Sequence, residues 1–124
     1  MAGGEEGQIL VVDDDEDIRD FISLALSGEG YRVRTAPDGA AALEEVRRTR
    51  PKLILLDMQM PVMSGWEFAQ AYRQEPGAHA PIVVLTAATN APRYSQQIQA
   101  QGYLGKPFGL DDLLQLVDRY ARPN

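Results

Sequence analysis

Along the chain, short apolar runs alternate with segments whose apolar residues recur every three or four positions, and the alternation repeats five times. Ile9–Val12, Leu53–Leu56 and Ile82–Leu85 are unbroken aliphatic tetrads. Runs with no polar face fit strands covered on both sides, as in a parallel sheet. Tyr31–Thr35 alternates apolar and polar residues instead, as an edge strand would. A fifth strand passes through Tyr103 and Leu104 towards Lys106. Between the strands lie helical patterns. Ile18, Phe21, Ile22, Ala25 and Leu26 mark the first, closed by Gly28 and Gly30. Asp38 is placed to cap a second, carrying Ala42, Leu43 and Val46 and stopping before Pro51. Ser64 and Glu67 have capping-box spacing for a third, bearing Trp66, Ala69 and Tyr72 and broken by Pro76-Gly77. Pro92 opens a fourth, whose only sizeable apolar residues are Tyr94 and Ile98. Leu110, Leu113, Leu114 and Val117 form one stripe of a fifth, behind Asp111-Asp112 in its first turn.

Five consecutive strand–helix units predict an α/β, doubly wound (βα)5 three-layer sandwich. The edge character of Tyr31–Thr35 selects the flavodoxin-like strand order 2-1-3-4-5, in which the second strand is outermost. In an open parallel sheet, chemistry gathers beyond the carboxyl ends of the strands. The residues at those ends are Asp13-Asp14-Asp15, Asp57, Thr86-Ala87 and Lys106-Pro107. Strands one, three and four are neighbours in this order, and the fifth lies beside the fourth, so the groups converge. Converging carboxylates repel one another, and such a pocket calls for a hard cation, with a lysine to offset the remaining charge.

Length and charge narrow the reading. A chain of 124 residues suits one domain, expected over residues 8–122, with a flexible segment at 1–7 and a short tail at 123–124. A net charge of −6 argues against sequence-independent binding of nucleic acid. The one basic run, Arg47-Arg48-Thr49-Arg50, ends a predicted helix, where cations favour the dipole. The sequence has no cysteine, so neither a disulfide nor a thiolate metal site is available. The opening residues have no signal-peptide pattern, and no apolar run reaches membrane-spanning length. A cytoplasmic location is expected. His79 has no companion histidine and follows Pro76-Gly77-Ala78, which argues against a histidine phosphocarrier.

The ordered set Asp13-Asp14, Asp57 with Met60-Pro61 and Gly65 beyond it, Thr86-Ala87, and Lys106-Pro107-Phe108 resembles the receiver domain of response regulators. The likeness runs from about Gln8 to Tyr120. It implies a phosphorylation-dependent switch in two-component signalling. Asp57 would accept a phosphoryl group from a sensor histidine kinase or a histidine phosphotransfer protein. Asp13 and Asp14 would hold Mg²⁺ with Asp57 and the backbone carbonyl of Gln59. Thr86, Ala87 and Lys106 would contact the phosphoryl group. Such a protein is a phosphoacceptor that assists its own phosphorylation and dephosphorylation rather than a turnover enzyme. Thr86 and Tyr103 would form the switch, reading out to a protein target or a second copy through the fourth helix, fifth strand and fifth helix. The acidic charge and the lack of a membrane-length apolar run predict no direct nucleic-acid contact and no membrane contact.

Two other readings compete. A haloacid-dehalogenase-type phosphatase would use Asp13-x-Asp15, Thr86, Lys106 and Asp111-Asp112, but it leaves Asp57 idle. A phosphorylation-independent interaction module on the same fold would have no use for the acid pocket. A calcium loop starting at Asp13 fails, because its sixth position is Ile18 and its twelfth Leu24.

Overall fold

The tetrads form strands because their aliphatic side chains alternate between two faces, and both faces are covered. The computed structural model describes residues 8–121. The expectations for residues 1–7 and 122–124 therefore lie outside the described residues. The strands are β1 (Ile9–Val12), β2 (Val33–Ala36), β3 (Leu53–Asp57), β4 (Ile82–Ala87) and β5 (Gly102–Lys106). The helices are α1 (Glu16–Gly28), α2 (Gly39–Thr49), α3 (Gly65–Arg73), α4 (Ala91–Gln97) and α5 (Leu110–Ala121). All strand pairs are parallel, in the order β2-β1-β3-β4-β5. This is the expected flavodoxin-like arrangement.

The core is split by the sheet. On one side Ile9, Val11, Leu53, Leu55, Val83 and Leu85 pack against Ile22 and Leu26 of α1 and Leu113 and Val117 of α5. On the other, Leu10, Val12, Ile54, Leu56, Ile82 and Val84 meet α2, α3 and α4 through Ala42, Val46, Phe68, Tyr72 and Ile98. Alternating residues of one strand thus feed two cores, which is why no polar face shows in the sequence.

Local signals position the helices. Asp38 accepts from the Ala41 amide and caps α2, while Arg50, in the left-handed region at φ 49°, closes it. Ser64 and Glu67 form the complete capping box of α3. Arg47 is paired with Glu75 at 2.9 Å and Arg48 with Glu45 at 3.0 Å, so the basic run lies among acids on the helix surface.

Two expectations need correction, and two helix ends are refined. β2 begins at Val33 rather than Tyr31, and Tyr31 is buried before the strand. Phe21 and Leu110, assigned to apolar stripes, are exposed at 44% and 46%. Each lies at the margin of its stripe, and Phe21 turns to the Phe108 ring, 6.2 Å away. α3 ends at Arg73, before Pro76-Gly77, because the Gln74 and Glu75 amides close the last turn on Ala71 and Tyr72. Tyr94 of α4 is only half-buried, and the helix is two turns long.

Candidate functional site

Register alone brings the acids together. Val12 of β1 pairs with Leu56 of β3, so Asp13 and Asp57 are the next residues on adjacent strands. Asp57 itself pairs with Leu85, which places Thr86 one step further along β4, and Ala87 pairs with Lys106 on β5. Asp13, Asp14 and Asp57 each present a carboxylate oxygen, and these oxygens lie within 4.8 Å of one another. Asp13 is fully buried, Asp57 is buried and Asp14 is exposed.

The three consecutive aspartates divide the work. Asp13 accepts the Asp15 amide on one oxygen and the Lys106 ammonium, at 2.7 Å, on the other. Asp14 faces solvent beside the cluster. Asp15 turns away and caps α1, accepting from the Asp17 and Ile18 amides, with Glu16 and Asp17 in the first helical turn. Lys106 is nearer Asp13 than Asp57, whose Oδ1 lies 3.8 Å away. The Lys106–Pro107 bond that follows is cis.

Crowding shows in the titration of Asp57. Burial, then repulsion from Asp13, raise its pKa from 3.8 to about 7, against the pull of Lys106. A hydrogen bond with Asp14 and that residue's charge act in the same upward direction. The donors are all oxygen and carry more negative charge than Lys106 offsets. That combination fits a hard divalent cation of the magnesium type. The three clustered carboxylates, with Asp57 raised by its neighbours, match the charge of such an ion.

The β3–α3 loop is held by close backbone approaches. The Gly65 amide donates to the Met58 carbonyl at 2.8 Å, and a Cβ at Gly65 would stand 2.7 Å from the Asp57 carbonyl oxygen and Met58 Cα. Only glycine fits there without moving the backbone that follows Asp57. Met63 donates to Pro61 across Val62, whose φ of 68° is unusual for a β-branched residue.

Asp13, Asp14, Asp57, Thr86, Ala87 and Lys106 fall at this edge of the sheet, whereas Tyr103 pairs with Val84 inside the sheet and Gln59 lies two residues beyond β3. Thr86 is buried, Ala87 exposed, and Tyr103 of β5 is 48% exposed. Asp111 and Asp112 remain exposed in the first turn of α5, outside the carboxylate cluster. With Asp15 engaged as a cap, the phosphatase arrangement is not assembled. Sequence reasoning missed Arg19, which donates to the Asp13 carbonyl at 2.8 Å from one turn inside α1. It also missed a shallow cavity of about 190 Å³ beside Lys106, lined by Ile18, Phe21, Pro107 and Phe108 together with Asp15 and Asp17.

The chain belongs to the response regulator receiver family, whose domain description matches residues 9–118. Its place is that of a phosphorylation-dependent switch in two-component signalling, a class that pairs with histidine kinases. It is 41% identical to the response regulator MprA of Mycobacterium leprae, over 93% of this chain and 51% of that protein. It is 37% identical to the DNA-binding response regulator MtrA of Mycobacterium tuberculosis, over 94% of this chain and 51% of that one. The chain thus spans about half the length of these curated relatives. Among solved structures, the chemotaxis response regulator CheY4 of Vibrio cholerae superposes with a TM-score of 0.83 at 38% identity, covering 91% of this chain and 97% of that one. A Chloroflexus aurantiacus protein described as a putative response regulator gives a TM-score of 0.85 at 31% identity, with 94% and 98% covered.

Proposed function

We propose that Asp57 is the phosphoacceptor and that the other residues at this sheet edge prepare it. The observation that carries the proposal is the convergence of Asp13, Asp14 and Asp57 with Lys106, at the ends of strands that register side by side. In the transfer, an Asp57 carboxylate oxygen attacks the phosphorus of a phosphohistidine. A P–O bond forms, the P–N bond breaks, and the imidazole nitrogen leaves with the electron pair and takes a proton. Phosphoryl transfer of this kind depends chiefly on positioning and charge compensation.

The chain's own residues supply much of that. Asp57 must be ionised to attack, and Lys106, 3.8 Å away, favours the carboxylate. Asp13, Asp14, Asp57 and the Gln59 carbonyl would hold Mg²⁺. The ion, when bound, would neutralise the carboxylates and the phosphoryl oxygens. Thr86 would offer its hydroxyl to the phosphoryl group, and exposed Ala87 leaves the approach open. Water attack on the aspartyl phosphate in the same pocket would reverse the modification, so the domain assists both its own phosphorylation and its own reset.

A sensor histidine kinase or histidine phosphotransfer protein is the phosphodonor in this reading, and the apolar cavity beside Lys106 gives it a surface to rest on. The output runs from Thr86 to Tyr103 and through the face of α4, β5 and α5 to a protein target or a second copy. The acidic chain itself takes no nucleic acid, and no described helix is long and apolar enough to cross a membrane. A cytoplasmic location follows from the proposed partners.

Incubation with acetyl phosphate and Mg²⁺ should give a single acid-stable, base-labile adduct that peptide mapping places on Asp57. Asp57→Asn should abolish it while the fold persists. Labelling of that variant at the wild-type rate would remove Asp57 from its role.

A further inference from the structure

One member of the acidic cluster stands where its neighbours push it away. Asp13 is anchored, its side chain accepting the Asp15 amide at 2.9 Å and the Lys106 ammonium at 2.7 Å. Asp57 is buried at the end of β3. Asp14 is exposed, and repulsion from the two buried carboxylates favours a side chain turned out to solvent. Its carboxylate nevertheless stays within 4.8 Å of theirs. The backbone beneath it is held by Arg19, whose Nη1 donates to the Asp13 carbonyl at 2.8 Å. That carbonyl belongs to the planar peptide joining Asp13 to Asp14, so the bond fixes the plane from which the Asp14 side chain departs. The reach suits a helical residue. The Arg19 amide donates to the Asp15 carbonyl at 3.1 Å, and side chains on a helix lean back towards its N-terminus. The position does not suit a cation, because α1 opens with the Asp15 cap, Glu16 and Asp17, as the helix dipole favours. Yet among the described residues the guanidinium makes no ion pair and directs its charge at a backbone carbonyl.

We infer that Arg19 is a positioning residue of the cation site: by holding the Asp13–Asp14 peptide it keeps the Asp14 carboxylate in the cluster. The inference rests on the reading of that cluster as a Mg²⁺ site given above. Three oxygens preset in one place spare the ion the cost of gathering them, and a residue that orients a metal ligand raises affinity without touching the metal. The charge of Arg19 acts in the opposite sense, since a cation near the cluster repels a second one. Removing that charge alone would tighten Mg²⁺ binding. Weaker binding by a neutral variant therefore marks lost orientation rather than lost charge.

Titration calorimetry of the unphosphorylated protein with Mg²⁺ alone tests this. Arg19→Met keeps the aliphatic stem and removes the donor. It should bind Mg²⁺ roughly tenfold more weakly, the low end for residues that orient a metal ligand, because Arg19 is only partly buried. Arg19→Lys keeps a charged donor without the guanidinium fork and should lose about two- to threefold. It carries the same test if circular dichroism shows that Arg19→Met does not fold. With acetyl phosphate present, the Mg²⁺ concentration for half-maximal labelling of Asp57 should rise by the same factor in each variant. The rate at saturating Mg²⁺ should return to within about twofold of wild type. Unchanged or tighter Mg²⁺ binding by Arg19→Met would overturn the inference. So would a labelling rate that stayed low at saturating Mg²⁺, which would tie Arg19 to the phosphoryl group or the fold instead. If the wild type bound Mg²⁺ but was never labelled, the phosphoacceptor assignment would fall and the role of Arg19 would stand. If it bound no Mg²⁺, the cation site and the inference would fall together.

Discussion

Replacing Asp57 by asparagine should make the protein more stable near neutral pH when divalent cations are chelated. The carboxyl is buried against Asp13, and its pKa rises from 3.8 to about 7. The fold therefore prefers it protonated, and the native state binds more protons than the unfolded chain between those values. Its contribution is fully present below about pH 4 and is lost as the pH rises through about 7. At about 1.36 kcal/mol per tenfold change, ionised Asp57 costs the folded state up to about 4 kcal/mol. Side-chain relaxation and water at the exposed Asp14 rim reduce this to about 1–3 kcal/mol. Asparagine has nearly the same shape and does not titrate. Wild type and variant should therefore melt at similar temperatures near pH 4. By pH 7.5 the variant should melt higher by roughly 4–12 °C, using about 4 °C per kcal/mol for a domain of this size. Thermal unfolding in a chelating buffer across this range, followed by circular dichroism, measures the difference. An asparagine variant that was less stable at pH 7.5, or a gap that did not grow with pH, would refute the electrostatic account of the site.

Other perturbations separate the site from its scaffold. Mg²⁺ should raise the melting temperature of the wild type by preferential binding to the native state, and Asp14→Ala should remove most of that rise; titration calorimetry and melting curves check it. Thr86→Ala should still be phosphorylated but should lose most of the phosphorylation-dependent gain in partner binding or self-association, measured by sedimentation or pull-down with the modified protein. Tyr72→Phe leaves the Ala80 amide without its 2.8 Å acceptor at the opposite end of the sheet. It should cost about 1 kcal/mol in urea unfolding and leave Asp57 labelling unchanged. Gly65→Ala drives a Cβ to 2.7 Å from the Asp57 carbonyl. It should both destabilise the fold, by about 1–3 kcal/mol, and slow labelling, because the backbone it displaces carries the site.

The sequence by itself determined the frame. Aliphatic tetrads with no polar face could be satisfied only between two helical layers, and the structure buries Ile9–Val12 and Leu53–Leu56 on both sides of the sheet. Capping chemistry is local, so Asp15, Asp38 and the Ser64–Glu67 box were legible from a few residues each. The convergence of Asp13, Asp57, Thr86 and Lys106 also followed, because strand order and strand ends are enough to predict it. What tertiary structure decided was how individual side chains share that space. Which of three consecutive aspartates is buried, exposed or spent on a helix cap depends on how the chain leaves β1, and Lys106 chooses Asp13 over Asp57 by distances no spacing encodes. Phe21 and Leu110 fall at the margins of their stripes, where a rotation of the helix decides between core and solvent. The clasp of Trp66 on Tyr94 and Gln97 joins residues of separate helices. Periodicity records which face of a helix is apolar, but the partner across a gap is fixed only when the layers pack.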